Sequence, residues 1–180
     1  MKINIMGGSF GWELAPHNET VWSFNHFILT RPVDVIFNMH DLPAILKNDA
    51  ASDRKFVDRV KKGIEKVRET NTKMYCPEVW DEIPCERYPI EKIIERFNID
   101  YFSSGPAYAI ALALYEGVTD LNLYGISVGI KEEYKEQKPC LEYWLGVAMA
   151  MGVNIGLYGQ TELLRTANRQ RYGYNTKQIL

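Results

Sequence analysis

YFSSGPAYAIALALYEGVTDLNLYGIS, residues 101–127, carries the clearest run of structural signals in this chain. It predicts a strand end, a tight loop, a helix, a turn, a buried strand and a glycine stop. Ser103, Ser104 and Gly105 precede the helix, and Pro106 suits its first turn, where a missing N–H costs little. Ala107, Ile110, Ala111 and Leu114 form one helical stripe, widened by Leu112 and Ala113. Gly117 suits the position just past the helix, where φ is usually positive. Leu121 to Tyr124 is then a short apolar run, stopped by Gly125. The loop before the helix carries the chemistry. Its two hydroxyls and several unpaired N–H groups sit at the positive end of a helix dipole, an arrangement that receives an anion or a ribose.

Outward from this stretch, strand and helix patterns alternate. Ile3 to Met6 is a first strand ended by Gly7-Gly8-Ser9, where glycines let backbone approach a ligand or simply form a tight turn. Full GxGxxG spacing and a Walker lysine are both absent. Thr20 to Leu29, rich in β-branched and aromatic residues, predicts a second strand with Asn25 and His26 interrupting its apolar end. Val33 to Asn38 predicts a third, followed by Met39-His40-Asp41. Leu42 to Asn48 reads as a short helical turn. Asp53 to Thr70 reads as an amphipathic helix with Phe56, Val57, Val60, Ile64 and Val67 inward. Lys73 to Cys76 is a brief strand, residues 77–89 are irregular, and Pro89 to Phe97 is a short helix. Val128 to Pro139 is strongly polar and holds the position of a mobile lid or of a solvated connector. Cys140 to Met151 is a helix with Leu141, Trp144, Val147, Ala148 and Met151 inward, and Val153 to Tyr158 is a last strand. Glu162 to Arg165 suggests one helical turn before a polar tail, 168–180.

This alternation predicts one α/β domain spanning 1–180, a three-layer Rossmann-like sandwich with a mainly parallel sheet. Its ligand face would collect Gly7, Gly8, Ser9, Asn25, Asn38, His40, Asp41, Ser103, Ser104, Gly105 and Ser127, because all follow strands. Apolar residues make up 46% and charged residues 24% of the chain, as in an ordinary soluble domain. A net charge of −2 gives no reason to expect a nucleic-acid polymer or an anionic membrane as partner. Cys76, Cys85 and Cys140 match no zinc spacing and point to reduced thiols in a cytoplasmic protein. No metal site is expected from the sequence. The first residues lack a signal-peptide pattern, and no apolar run is long enough to cross a bilayer. Aromatic content of 12% and the Tyr172-Gly173-Tyr174 tail suit a homo-oligomer interface.

The stretch 102–127 resembles the (T/S)SG-helix-GYKEI-strand-GID segment of the bacterial sialyltransferases that use CMP-sialic acid. It is also similar to the motility-accessory-factor and 6-hydroxymethylpterin diphosphokinase MptE-like families. The likeness extends to MKINIMGGS, VWSFNHF and VIFNMHD, and phage-encoded members share the MHD, serine-pair, EY, EYWLG and YGY steps found here at 39–41, 103–104, 133–134, 142–146 and 172–174. The resemblance implies that Gly7, Gly8 and Ser9 approach the phosphates or ribose of a nucleotide. It implies that Asn25 and Asn38 contact ribose or phosphate, that Ser103, Ser104 and Gly105 hold ribose, base edge or phosphate, and that Tyr134 meets phosphate from the lid. The aspartate of the GID pattern is Ser127 here, and all three histidines lie in the first 40 residues. Asp41 and Glu133 are the best candidates for a catalytic carboxylate.

Three functions compete. The chain binds a nucleotide or nucleotide-derived small molecule, in a phage setting sequestering a host signal in the host cytoplasm. Alternatively it is a glycosyl- or phosphotransferase with a nucleotide-activated donor, with no certain cofactor beyond Mg²⁺ on the donor phosphate. Alternatively it is an assembly protein with a vestigial pocket.

Overall fold

The computed structural model describes residues 1–48, 50, 52–128, 135–166, 169–174 and 176–178. Seven strands form one sheet: β1 (Lys2–Met6), β2 (Val21–Phe24), β3 (Val35–Phe37), β4 (Lys73–Cys76), β5 (Glu86–Arg87), β6 (Asp120–Tyr124) and β7 (Asn154–Tyr158). Their spatial order is β5-β4-β3-β2-β1-β6-β7, and every pairing is parallel. The chain therefore steps outward from β1 to β5, returns to the other side of β1 with β6, and steps outward again. The order reverses between β1 and β6.

Alternation along the strands feeds two cores. Ile3, Ile5, Val35, Phe37, Leu121 and Leu123 point to one face, where α3 (Ile90–Phe97), α4 (Gly105–Tyr115) and α5 (Gln137–Ala150) pack. Met6, Val21, Ile36, Met74 and Tyr124 point to the other, beneath α1 (Leu42–Leu46) and α2 (Arg54–Thr70). α4 lies between α3 and α5 and buries Ala107 and every residue from Ala109 to Leu114. A helix apolar on all sides is stable only in such an enclosed position. Two buried polar side chains, Asn4 and Ser23, and the half-buried Asn122 tie the central strands. Asn122 donates from Nδ2 to Asn4 Oδ1 (3.1 Å), Asn4 donates to Glu19 Oε2 (3.1 Å) and to the Thr20 carbonyl (3.0 Å), and Ser23 Oγ donates to the Met6 carbonyl (2.7 Å).

Several sequence expectations change. The second strand ends at Phe24, because Asn25 takes a left-handed conformation (φ 52°) and Phe27–Leu29 forms a 3-10 turn. The turn sends Ile28 and Phe27 into the α2-side core rather than along the sheet. Phe56, expected inward, is 40% exposed and meets His26 edge-on. Met151, also expected inward, lies past the end of α5 and is 46% exposed. Glu86–Arg87 within the supposedly irregular 77–89 segment adds a strand, held by Lys73–Glu86 and Arg87–Glu91 ion pairs. In place of a helical turn at 162–165, Leu164 adopts φ 56° and donates its N–H to Glu142 Oε1 (2.7 Å). No helix among the described residues is long and apolar enough to cross a membrane.

The end of α4 follows the sequence reading. Gly117 sits at φ 78°; its N–H bonds the Leu114 carbonyl (3.1 Å), and the Val118 N–H bonds the Ala113 carbonyl (3.0 Å). A Cβ at Gly117 would meet nothing within 4 Å, so the only penalty of a side chain there is the left-handed backbone. Gly117→Ala is expected to cost about 1 kcal/mol. For a domain of this size a thermal melt would read that as a fall in Tm of about 2–4 °C.

Candidate functional site

The carboxyl ends of the strands open onto one cleft of ≈ 770 Å³. That volume suits a nucleotide-sized molecule. Five chain segments build it. The loop after β1 brings Gly7, Gly8 and Ser9; the end of β2 brings Phe24, Asn25, His26 and Phe27; the end of β3 brings Met39 and His40. The entry to α4 brings Phe102 to Pro106 with Tyr108, and the segment after β6 brings Gly125 to Val128, with Gln137 of α5 nearby. The cleft thus lies at the point where the strand order reverses, the usual ligand crevice of an open parallel sheet.

Gly7 is held by the strand beside it. Its N–H bonds the Tyr124 carbonyl (2.8 Å), and the Ser9 N–H bonds the Gly125 carbonyl (2.8 Å). A Cβ on Gly7 would lie 2.6 Å from the Gly125 carbonyl oxygen, so only glycine lets the two strand ends touch. At α4, Ser104 occupies the N-cap with extended backbone, but its hydroxyl makes no capping bond. Its Oγ is buried without a partner. Ser103 Oγ instead donates to the Glu136 carbonyl (3.1 Å), which draws the first turn of α5 to the same mouth. The aromatic wall is made of rings packed on one another. Phe102 stacks on Tyr108 at 4.7 Å, Tyr88 stands perpendicular to Tyr108 at 5.0 Å, and Tyr88 Oη donates to the Tyr108 carbonyl (2.8 Å). Burial raises the pKa of Tyr108, aided by Asp100 and Cys140, so its phenol stays protonated.

Gly7, Gly8, Ser9, Asn25, His40, Ser103, Ser104, Gly105 and Ser127 all line this cleft. Asn38 does not: it is 4% exposed beside the cleft, its N–H on the Tyr75 carbonyl (2.9 Å) and its Oδ1 buried without a partner. Asp41 stands outside as the N-cap of α1, where its Oδ1 accepts the Ala44 N–H (3.1 Å). Glu133 and Tyr134, with the rest of 129–134 in the polar 128–139 segment, lie outside the described residues. Among the described residues no group of three or more His, Cys, Asp or Glu side chains is placed to hold a metal ion.

His26, Phe102, Tyr108 and Gln137 also line the cleft. The signal for His26 was its place beside Asn25 at a strand end; the signal for Phe102 was its place before the serine pair. His26 fits because α2 carries Gly63 at the contact, where a Cβ would lie 3.3 Å from the His26 backbone. The Nδ1 of His26 is buried without a partner. Burial, aided by the positive Arg59, holds its imidazole below the ordinary value and keeps it neutral near pH 7. Among the described lining residues there is no Asp, Glu, Lys or Arg. Backbone N–H groups, hydroxyls, amides and two imidazoles supply the polar contacts.

No family model matches the chain, and no curated protein matches it. Solved structures do. The chain is similar to the sialyltransferase CstII from Campylobacter jejuni in complex with the substrate analogue CMP-3FNeuAc, at 12% identity and a TM-score of 0.50, covering 88% of this chain and 81% of that one. A CstII complex with cytidine-5'-monophosphate matches at 12% identity and a TM-score of 0.49, covering 88% and 79%. The sialyltransferase side of the sequence resemblance is thus matched at the level of the fold. The motility-accessory-factor and MptE-like side has no counterpart in these matches.

Two measurements probe the geometry. Gly7→Ala is expected to lower stability by more than Gly117→Ala in urea unfolding, because strand ends must part to admit the methyl group. For His26 the folded pKa lies below the unfolded one, so its contribution is complete above about pH 6.5. It is lost as pH falls through the folded pKa, since the unfolded chain takes up the proton first. The loss of urea midpoint between about pH 7.5 and about pH 5.5 is expected to shrink in His26→Gln.

Proposed function

We propose that this chain binds a nucleotide or a nucleotide-derived small molecule in the cleft at the carboxyl ends of its strands. One observation carries the proposal. At the start of α4 an N-cap serine leaves its buried hydroxyl without a partner, in the same cleft as a bare glycine loop across the point of strand reversal. The positive end of the helix dipole favours a phosphate there. The stacked Phe102–Tyr108 wall supplies apolar area for a base or sugar. The similarity of fold to CstII in complex with CMP-3FNeuAc supports a nucleotide as the ligand class.

Holding the ligand without turnover fits the cleft better than sugar or phosphate transfer. Of the two carboxylates considered for catalysis, Asp41 is committed to capping α1. The described lining adds no other carboxylate. A chain of this kind removes a free nucleotide signal by mass action rather than by chemistry.

Isothermal titration with CMP, other mononucleotides, cyclic nucleotides and sugar nucleotides tests this reading. Binding to at least one, with the ligand recovered unchanged after denaturation, is the expected result. Recovery of hydrolysed or transferred product points instead to the transferase reading, and failure to bind any of them leaves the assembly-protein reading. Ser104→Ala is the sharpest variant. The hydroxyl has no partner within the chain, so its loss should leave thermal stability nearly unchanged while weakening the nucleotide about tenfold.

A further inference from the structure

The two edges of the sheet are built differently. β5 is two residues long and charged, Glu86–Arg87, with its side chains in ion pairs. Short, charged edges are how natural sheets avoid pairing with a second molecule. β7, at the opposite edge, is five residues long and reads NIGLY, with no charge and no proline.

The ladder on β6 fixes which backbone groups of β7 are free. The Asn154 N–H bonds the Thr119 carbonyl (2.9 Å), and the Tyr158 carbonyl accepts the Gly125 N–H (3.2 Å). Parallel register alternates, so Asn154, Gly156 and Tyr158 face β6, and the N–H and C=O groups of Ile155 and Leu157 face outward. No described residue pairs with them. The side chains on this strand lean inward instead. Tyr158 stacks on Tyr124 at 4.6 Å, and Asn154 Nδ2 donates to Asp120 Oδ1 (2.9 Å), so both side chains reach toward β6.

α5, which packs over β7, carries a second and independent sign. From Tyr143 to Ala150 it has no charged residue, yet Tyr143 and Met149 are 47% and 53% exposed, and Gly146 and Ala150 are exposed with them. A helix apolar on every side belongs in an interior. Tyrosine and methionine are enriched in protein interfaces.

We propose that β7 pairs antiparallel with β7 of a second copy of this chain, about a two-fold axis at Gly156. The strand is complementary to itself in this register alone among the central ones. Ile155 opposes the partner's Leu157 as a hydrogen-bonded pair, Leu157 opposes the partner's Ile155 likewise, and Gly156 meets the partner's Gly156 at the close, non-bonded position. All four outward groups on each copy are then satisfied. No like charges meet, and the exposed stripes of the two α5 helices come together beside the axis. The result is a continuous fourteen-stranded sheet, twice the seven strands of one chain. Its clefts lie clear of the joint, so the proposal stands apart from the nucleotide reading.

Sedimentation velocity of the full chain across a wide concentration range, with hydrogen exchange read at single residues, tests it. The expected result is a dimer whose Ile155 and Leu157 amides gain protection as concentration rises. Leu157→Pro removes an outward N–H and no bond to β6, so a folded monomer is expected. Met149→Lys, on the exposed face of α5, is expected to weaken association at least tenfold with an unchanged circular-dichroism melt, and it keeps the test informative should Leu157→Pro not fold. A chain that stays monomeric at high concentration overturns the proposal. So does a dimer whose Ile155 and Leu157 amides exchange freely, or one whose affinity is unchanged in Met149→Lys.

Discussion

The loop after β1 lies against the ends of β6 and β7 with no side chain between them. Gly7 touches Gly125, and Gly11 touches Gly159, at separations where a Cβ on either partner would collide with backbone. The Gly125 N–H then reaches the Tyr158 carbonyl, so the three strand ends form one bonded row. The first loop of the cleft is positioned from this row. α4 begins instead against the end of β2, where a Cβ on Gly105 would lie 3.0 Å from the Phe24 ring, and the space at the reversal point is left open down to backbone.

The buried polar contacts on the sheet serve the same alignment. Asn122, Asn4 and the Thr20 carbonyl form a lateral chain across β6, β1 and the start of β2, with Ser23 repeating the link nearer the carboxyl ends. A slip of one residue between β1 and either neighbour would leave the Asn4 amide and the Ser23 hydroxyl buried without partners, at about 1–3 kcal/mol each. The register that aligns the strand ends is thereby fixed by groups well below the cleft.

Much of this was legible in the sequence, because it rests on local rules. α4 and β6 follow from an apolar run bounded by Pro106 and Gly117. What escaped depends on distant partners. Phe27-Ile28-Leu29 has strand composition, and only the left-handed Asn25 and the gap at Gly63 turn it into a 3-10 turn over α2. Glu86–Arg87 has no strand signal at all; its charges pair with Lys73, Glu78 and Glu91. Phe56 and Met151 lie at the margins of their helical stripes, where periodicity alone does not decide burial. Nine of the strand-end residues named from the sequence lie along one cleft; Asn38 is buried beside it with its backbone N–H on the β4 Tyr75 carbonyl, and the Asp41 carboxylate caps α1.

The pairing of β1 with β6 joins the first residues of the chain to residues beyond 118; even the terminal ammonium of Met1 reaches Thr119 Oγ1 (2.9 Å). A chain emerging from the ribosome therefore exposes the inner flank of β1 until more than a hundred further residues have followed. One wall of the cleft waits, already synthesised, for the other. The cleft is then a property of the finished fold alone, complete only once β6 has joined β1.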